Sequence, residues 1–176
     1  MVLKNWYNIL TLFIIMSAST LTGQQTQPLC IDPIFQQEVD AYLSYDVPVI
    51  SIAEAYADAQ SFIFLDARER EEYEVSHIKN AVYIGYDDFD ITRVSHLDKT
   101  QKIIIYCSIG YRSEKIGKKL IDAGFQNVQN LYGSIFEWVN QHHEIYNLEN
   151  NSTHTIHTYN KKWSKWVQSE SVQKTW

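Results

Sequence analysis

Glycine and proline are scarce in this 176-residue chain, at 6 and 3. That excludes a collagen-like, linker-rich or repeat-rich architecture. No spacing recurs along the chain, which argues against a solenoid. Cysteine is scarcer still. Cys30 and Cys107 are the two present, too few for a disulfide scaffold or a four-thiolate zinc site. Positive charge is in deficit: 15 Lys and Arg stand against 21 Asp and Glu, a formal net charge of −6. A phosphate backbone selects a basic face, so nucleic acid is not an expected partner. No apolar run approaches the ~20 residues of a bilayer-spanning helix. What the chain does have is 45% apolar and 20% charged residues, the composition of a packed core. Aromatic side chains reach 14%, and several of the 12 Tyr and 5 Trp fall in the last third.

Residues 1–23 read as a secretory signal peptide. Lys4 supplies a positive start, residues 9–16 an apolar stretch, and Ser17, Ala18, Ser19 and Gly23 the small residues near a cleavage site. The expectation is an exported chain, periplasmic or extracellular, that meets the membrane only through this segment. Gln27-Pro28-Leu29 ahead of Cys30 lacks the small residues of a lipid-attachment site. Cys30 then reads as a leftover thiol near the mature terminus.

The body alternates strand and helix signals. Asp32-Pro33 is a helix start, a carboxylate cap followed by proline at the first helical position. Phe35, Val39 and Leu43 follow on one stripe. This helix belongs to an N-terminal extension over 24–46. Residues 48–50 read as a short strand, Ser51 as the cap of a helix through Ala59, and residues 62–65 as a second strand. A charged surface helix over 69–74 comes next, then a strand over 81–84 stopped by Gly85. Residues 103–106 carry the strongest strand signal, apolar without alternation and so buried on both faces. Ile116, Leu120 and Ile121 share one side of a helix that Gly124 can end. Val128 and Leu131 mark another strand, and residues 135–139 a last core helix. This order predicts an α/β fold: a parallel sheet of about five strands with helices on both faces. The tail over 143–176 reads as an extension. Residues 145–148 could pair with Thr153, Thr155 and Ile156 across Asn150-Asn151, and Trp163, Trp166 and Val167 would share one side of a short helix.

Ligands of such sheets bind beyond the carboxyl ends of the strands. That rule points at Cys107-Ser108-Ile109-Gly110-Tyr111-Arg112-Ser113, which joins the most buried strand to a helix. Unpaired amides at a helix start carry partial positive charge, and a tight loop aims more of them inward. Arg112 adds a cation, Gly110 backbone freedom, and Ser113 a cap. A thiol in that setting ionises easily, and the thiolate is the nucleophile. A lone cysteine at a strand end is more often plain core. Nucleophile, glycine, arginine and helix start within seven residues reverse that preference.

Three segments carry a resemblance to single-domain rhodaneses. Leu65-Asp66-Ala67-Arg68-Glu69 with Glu72-Tyr73 resembles the family's Asp-x-Arg-Glu segment. His77-Ile78-Lys79-Asn80-Ala81 resembles its His-Ile-x-x-Ala segment. Cys107 to Ser113 resembles its Cys-x-x-Gly-x-Arg-Ser loop. Gly133 and Trp138 sit where the family often has a turn and a tryptophan, and the likeness covers 47–142. Ser76 and Lys79-Asn80 depart from the commoner Gly and Pro-Gly.

The resemblance implies a sulfurtransferase. Cys107 would take a sulfane sulfur from thiosulfate or a related small anionic donor, hold it as a persulfide, and pass it to a thiol or cyanide. Ser108, Ile109, Gly110, Tyr111, Arg112 and Ser113 would bind substrate, with Arg112 on the anion and Ile109 and Tyr111 at the pocket mouth. Asp66, Arg68 and His77 would be structural supports. No cofactor and no metal is implied. Two alternatives stay open: a non-catalytic rhodanese-like module that binds a partner or relays sulfur, and a phosphatase or arsenate reductase. The second is disfavoured because four residues, not five, separate Cys107 from Arg112. His154 and His157 lack further obvious ligands and would face opposite sides of a strand.

Overall fold

The structure is a computed structural model that describes residues 28–176. The expected leader over 1–23 lies outside the described residues. Helix α1 spans Pro33–Tyr42; the Asp32 carboxylate accepts the Ile34 amide at 2.8 Å, and Pro33 occupies the first turn. Strand β1 (Val49–Ile50) leads into α2 (Ile52–Ala57), which starts in a Ser51–Glu54 capping box. The helix expected through Ala59 ends earlier, and a single 3-10 turn over Ala59–Ser61 follows.

Strand β2 (Ile63–Asp66) precedes α3 (Arg70–Val75), where Glu69 and Glu72 form a second capping box. Then come β3 (Val82–Tyr83), β4 (Lys102–Tyr106), α4 (Tyr111–Asp122), β5 (Asn127–Leu131) and α5 (Ser134–Asn140). The five strands form one parallel sheet in the order β1-β5-β4-β2-β3. β4 is the central strand, paired with β5 and β2 along its length.

Two apolar layers cover the sheet. Ile104 and Tyr106 of β4 join Phe35, Val39, Ile52, Phe136 and Trp138 on one face. Ile103 and Ile105 point the other way, onto Val47, Ile116, Leu120 and Phe125. Alternate side chains of one strand thus enter different cores, which is why β4 has no polar alternation. Among the described residues no helix is long and apolar enough to cross a membrane.

The tail pairs differently from expectation. Strand β6 (Ile145–Tyr146) runs antiparallel to β7 (Ser152–Thr153), as the spacing predicts. Thr155–His157, however, is a separate strand, β8, parallel to β9 (Gln173–Thr175). Parallel partners need a crossover, supplied here by the 3-10 turn Trp163–Trp166. Trp166 is buried and stacks on Phe35 of α1, ring centroids 5.4 Å apart. Asn140 of α5 donates to the Trp166 carbonyl and accepts the Gln168 amide. The tail is therefore fastened to both helices on that face.

Candidate active site

Cys107 follows the last residue of β4 and is 1% exposed. Its amide donates to the Ser134 hydroxyl at 3.1 Å, and its carbonyl accepts the Ile135 amide. The turn that delivers Ser134 has positive φ at both Gly133 (69°) and Ser134 (52°), so the start of α5 clamps the backbone of the cysteine. Gly110 has φ 124°, a region closed to side chains, and its amide turns back to the Cys107 sulfur at 3.2 Å. The Ser113 hydroxyl lies 3.5 Å from the same sulfur.

Burial pushes the Cys107 thiol up. The Arg112 charge, the Ser113 hydroxyl and amide, and the Gly110 amide together outweigh burial, and the net direction is down. The site therefore holds a thiolate more readily than a free cysteine would.

Arg112 does not stand alone. Its fork grips Glu72 at 2.6 and 2.8 Å and reaches Glu69 at 3.4 Å, while Nη2 also donates to the Ser108 hydroxyl. Glu72 is 1% exposed, and Arg112 outweighs the burial that would raise its carboxyl, so its pKa falls. One cation thus serves two carboxylates and a thiolate.

Asp66 and Arg68 sit at the end of β2 and are both fully buried. Arg68 grips Asp66 through Nε and Nη2 and donates to the Ser76 carbonyl at 2.6 Å. His77 stacks on Tyr73 with centroids 4.2 Å apart, and its backbone bridges to Tyr146. These three contact each other's neighbourhood rather than the sulfur. Cys30, read as a leftover thiol, is 2% exposed, and burial and Glu137 push its thiol well up. Both cysteines are free thiols. Among the described residues no group of three or more His, Cys, Asp or Glu could hold a metal.

Cys107 opens on a cavity of about 200 Å³. Tyr42, Tyr86, Ile109, Tyr111, Tyr159 and Trp163 wall it. A larger groove of about 790 Å³, lined by Tyr56, Phe62, Lys79, Trp138 and Tyr146 among others, lies elsewhere and contains no thiol. The chemistry selects the smaller cavity.

Sequence reasoning found Cys107 and its loop but assigned nothing to Glu69 and Glu72 beyond their place in a motif. It missed Asn130, whose amide donates to the Gly110 carbonyl at 2.9 Å and whose oxygen accepts the Ser113 hydroxyl at 2.7 Å. The sequence offered no signal for it: β5 reads Asn-Val-Gln-Asn-Leu, and only the fold shows that Asn130, unlike Asn127, is buried. Ser134, in a strand-to-helix turn, was missed too.

A thiol at the carboxyl end of a central parallel strand, under a helix start, is placed where ligands of such sheets bind. The Rhodanese-like domain family model matches residues 51–141, just over half of the chain, and the chain belongs to the rhodanese family. It is 38% identical over 82 residues to a tRNA uridine(34) hydroxylase of Hamiltonella defensa, covering 44% of this chain and 23% of that protein. It is 34% identical over 116 residues to the protein of that name from Pectobacterium carotovorum, covering 62% and 31%. The chain therefore spans about a quarter to a third of the length of these relatives. A solved structure from Bacillus halodurans superposes with a TM-score of 0.53 at 25% identity, over 63% of this chain and 85% of that one.

These comparisons correct the expectation of a sulfurtransferase fed by thiosulfate. The curated relatives bear the name of a tRNA uridine(34) hydroxylase instead. Arg112, expected to hold the anionic donor, is engaged by Glu72 and Glu69.

Proposed function

We propose that this enzyme modifies a uridine base of tRNA and that the Cys107 thiolate bonds covalently to the base during the reaction. The substrate comes from the relatives, 34–38% identical over the aligned segments. One observation carries the covalent step: a sulfur that accepts the Gly110 amide at 3.2 Å and lies 3.5 Å from the Ser113 hydroxyl, on the floor of a cavity walled by aromatic rings.

Uracil suits such a nucleophile because its carbon–carbon double bond is conjugated to a carbonyl. The thiolate adds at C6 and forms a sulfur–carbon bond. The π pair moves through C5 onto O4, and C5 takes a proton from water. In reverse, C5 loses a proton, the double bond re-forms, and the thiolate leaves. Until the proton from water arrives, the enolate leaves C5 nucleophilic. Arg112, Ser113 and the Gly110 amide hold the thiolate between turnovers. Recognition falls on the base, since a net charge of −6 offers no long-range attraction to phosphates.

The test is incubation of the full chain with unmodified tRNA in D2O, followed by nucleoside mass spectrometry. Deuterium at C5 of uridine, lost in Cys107→Ser, is expected. No deuterium at C5 with the native chain would overturn the proposal.

A further inference from the structure

Two walls of the Cys107 cavity come from outside the segment that matches the family, residues 51–141. Tyr42 is the last residue of α1. Tyr159 and Trp163 belong to the C-terminal tail. Tyr42 meets Tyr111 edge-on at 6.1 Å and Trp163 at 5.4 Å. Tyr159 lies against the Arg112 guanidinium, 5.1 Å from the ring centroid. The rings form a roof above the sulfur.

The roof is fastened on purposefully placed anchors. Glu114 of α4 is fully buried and accepts the amides of Ser44 and Asp46 at 2.9 and 3.0 Å, which fixes the end of α1 beside the active loop. On the other side, β8 lies against α3. Thr158 donates its amide to Thr175 at 2.7 Å, and Tyr159 then takes a left-handed turn with φ 65°. A tyrosine seldom adopts that conformation, and strain of this kind persists where surrounding structure enforces it. Despite these anchors the rings keep open faces: Tyr42, Tyr111 and Tyr159 are 38%, 40% and 52% exposed.

Charge narrows what can enter. Arg112 is outnumbered by Glu69, Glu72 and the thiolate, so an anion would meet net negative charge. Aromatic faces accept flat rings by stacking, with little regard to ring substituents. We infer that the two terminal extensions are the specificity element of this site, and that Tyr42, Tyr159 and Trp163 select a planar ring without negative charge for attack by Cys107. The inference deepens the uridine proposal and rests on it only for the identity of the ring.

The test uses thiol reagents of equal charge and different shape. Cys107 adducts of N-phenylmaleimide and N-methylmaleimide are timed at the peptide level in the full chain, which keeps Cys30 out of the measurement. The native chain favours the phenyl reagent. Tyr159→Asn, which tolerates the left-handed turn, and Trp163→Ala each lower the phenyl-to-methyl ratio roughly tenfold. Tyr56→Ala, in the other groove, leaves the ratio unchanged. An equal ratio in the native chain, or one that both roof variants preserve while melting cooperatively, overturns the inference. Shape selectivity without uridine labelling would sink the uridine proposal alone. Uridine labelling without shape selectivity would sink the roof alone.

Discussion

Ser113 and Asn130 stand 2.7 Å apart, hydroxyl to amide oxygen, and the same hydroxyl lies 3.5 Å from the Cys107 sulfur and 3.1 Å from the Gly110 carbonyl. One proton faces three acceptors. A thiolate is the most demanding of the three, so ionisation turns the hydroxyl toward sulfur, and Asn130 keeps the loop in place through its own bond to Gly110.

Ser113→Ala should therefore raise the pH at which Cys107 becomes reactive. In the native chain, burial raises the thiol and Arg112 with the Ser113 and Gly110 donors lowers it further, so the iodoacetamide rate climbs through a midpoint below the ordinary thiol value of 9.0. Ser113→Ala moves the midpoint up, and Ser113→Thr restores it. An unmoved midpoint would remove Ser113 from the machinery.

Arg112→Gln should destabilise the fold by about 3–5 kcal/mol, because it strands Glu72 in a buried site without its partner. Glu72→Gln in the same chain should recover most of that loss. The sign of the pH effect follows from the depressed Glu72 carboxyl. Its stabilisation is present above the ordinary value of 4.5 and disappears as pH falls through the lower folded value. Urea titration of the three proteins across pH 3–7 measures both effects.

Gly110→Ala should cost about 1–3 kcal/mol, from its φ of 124° and from a β-carbon 3.2 Å from Leu43. The same change swings the amide away from sulfur, so Cys107 should also alkylate more slowly at neutral pH. Thermal melts and reagent kinetics on one preparation separate the two losses.

Compartment decides between two statements that exclude each other. A signal peptide over 1–23 takes the chain away from tRNA, whereas uridine modification needs it in the cytoplasm. Fractionation of a C-terminally tagged chain, with intact mass of the mature product, tests this. Cytoplasmic chain retaining residues 1–23 is the outcome that the tRNA proposal requires; a trimmed, exported product overturns it.

The sheet and its helices were legible because each depends on short-range signals. Asp32-Pro33 caps α1, Ser51 starts α2, and the unbroken apolar run of β4 announces a strand buried on both sides. Cys107 and Gly110 were legible because loop chemistry is written in consecutive residues. Long-range partnerships were not. Glu72 meets Arg112 across 40 positions, Ser134 meets Cys107 across 27, and β8 pairs with β9 rather than with the hairpin beside it. Composition and periodicity carry no record of such meetings. The aromatic roof was invisible for the same reason, since Tyr42 and Trp163 are far apart in the chain.

The pairing of β8 with β9 has a practical side. Residues 173–175 hold the strand that ends two positions before Tyr159. A carboxypeptidase nick or a bulky affinity tag there would leave the thiol and its loop untouched, yet blur which molecules the enzyme accepts, so kinetics on trimmed or tagged preparations would describe a more permissive catalyst than the intact one.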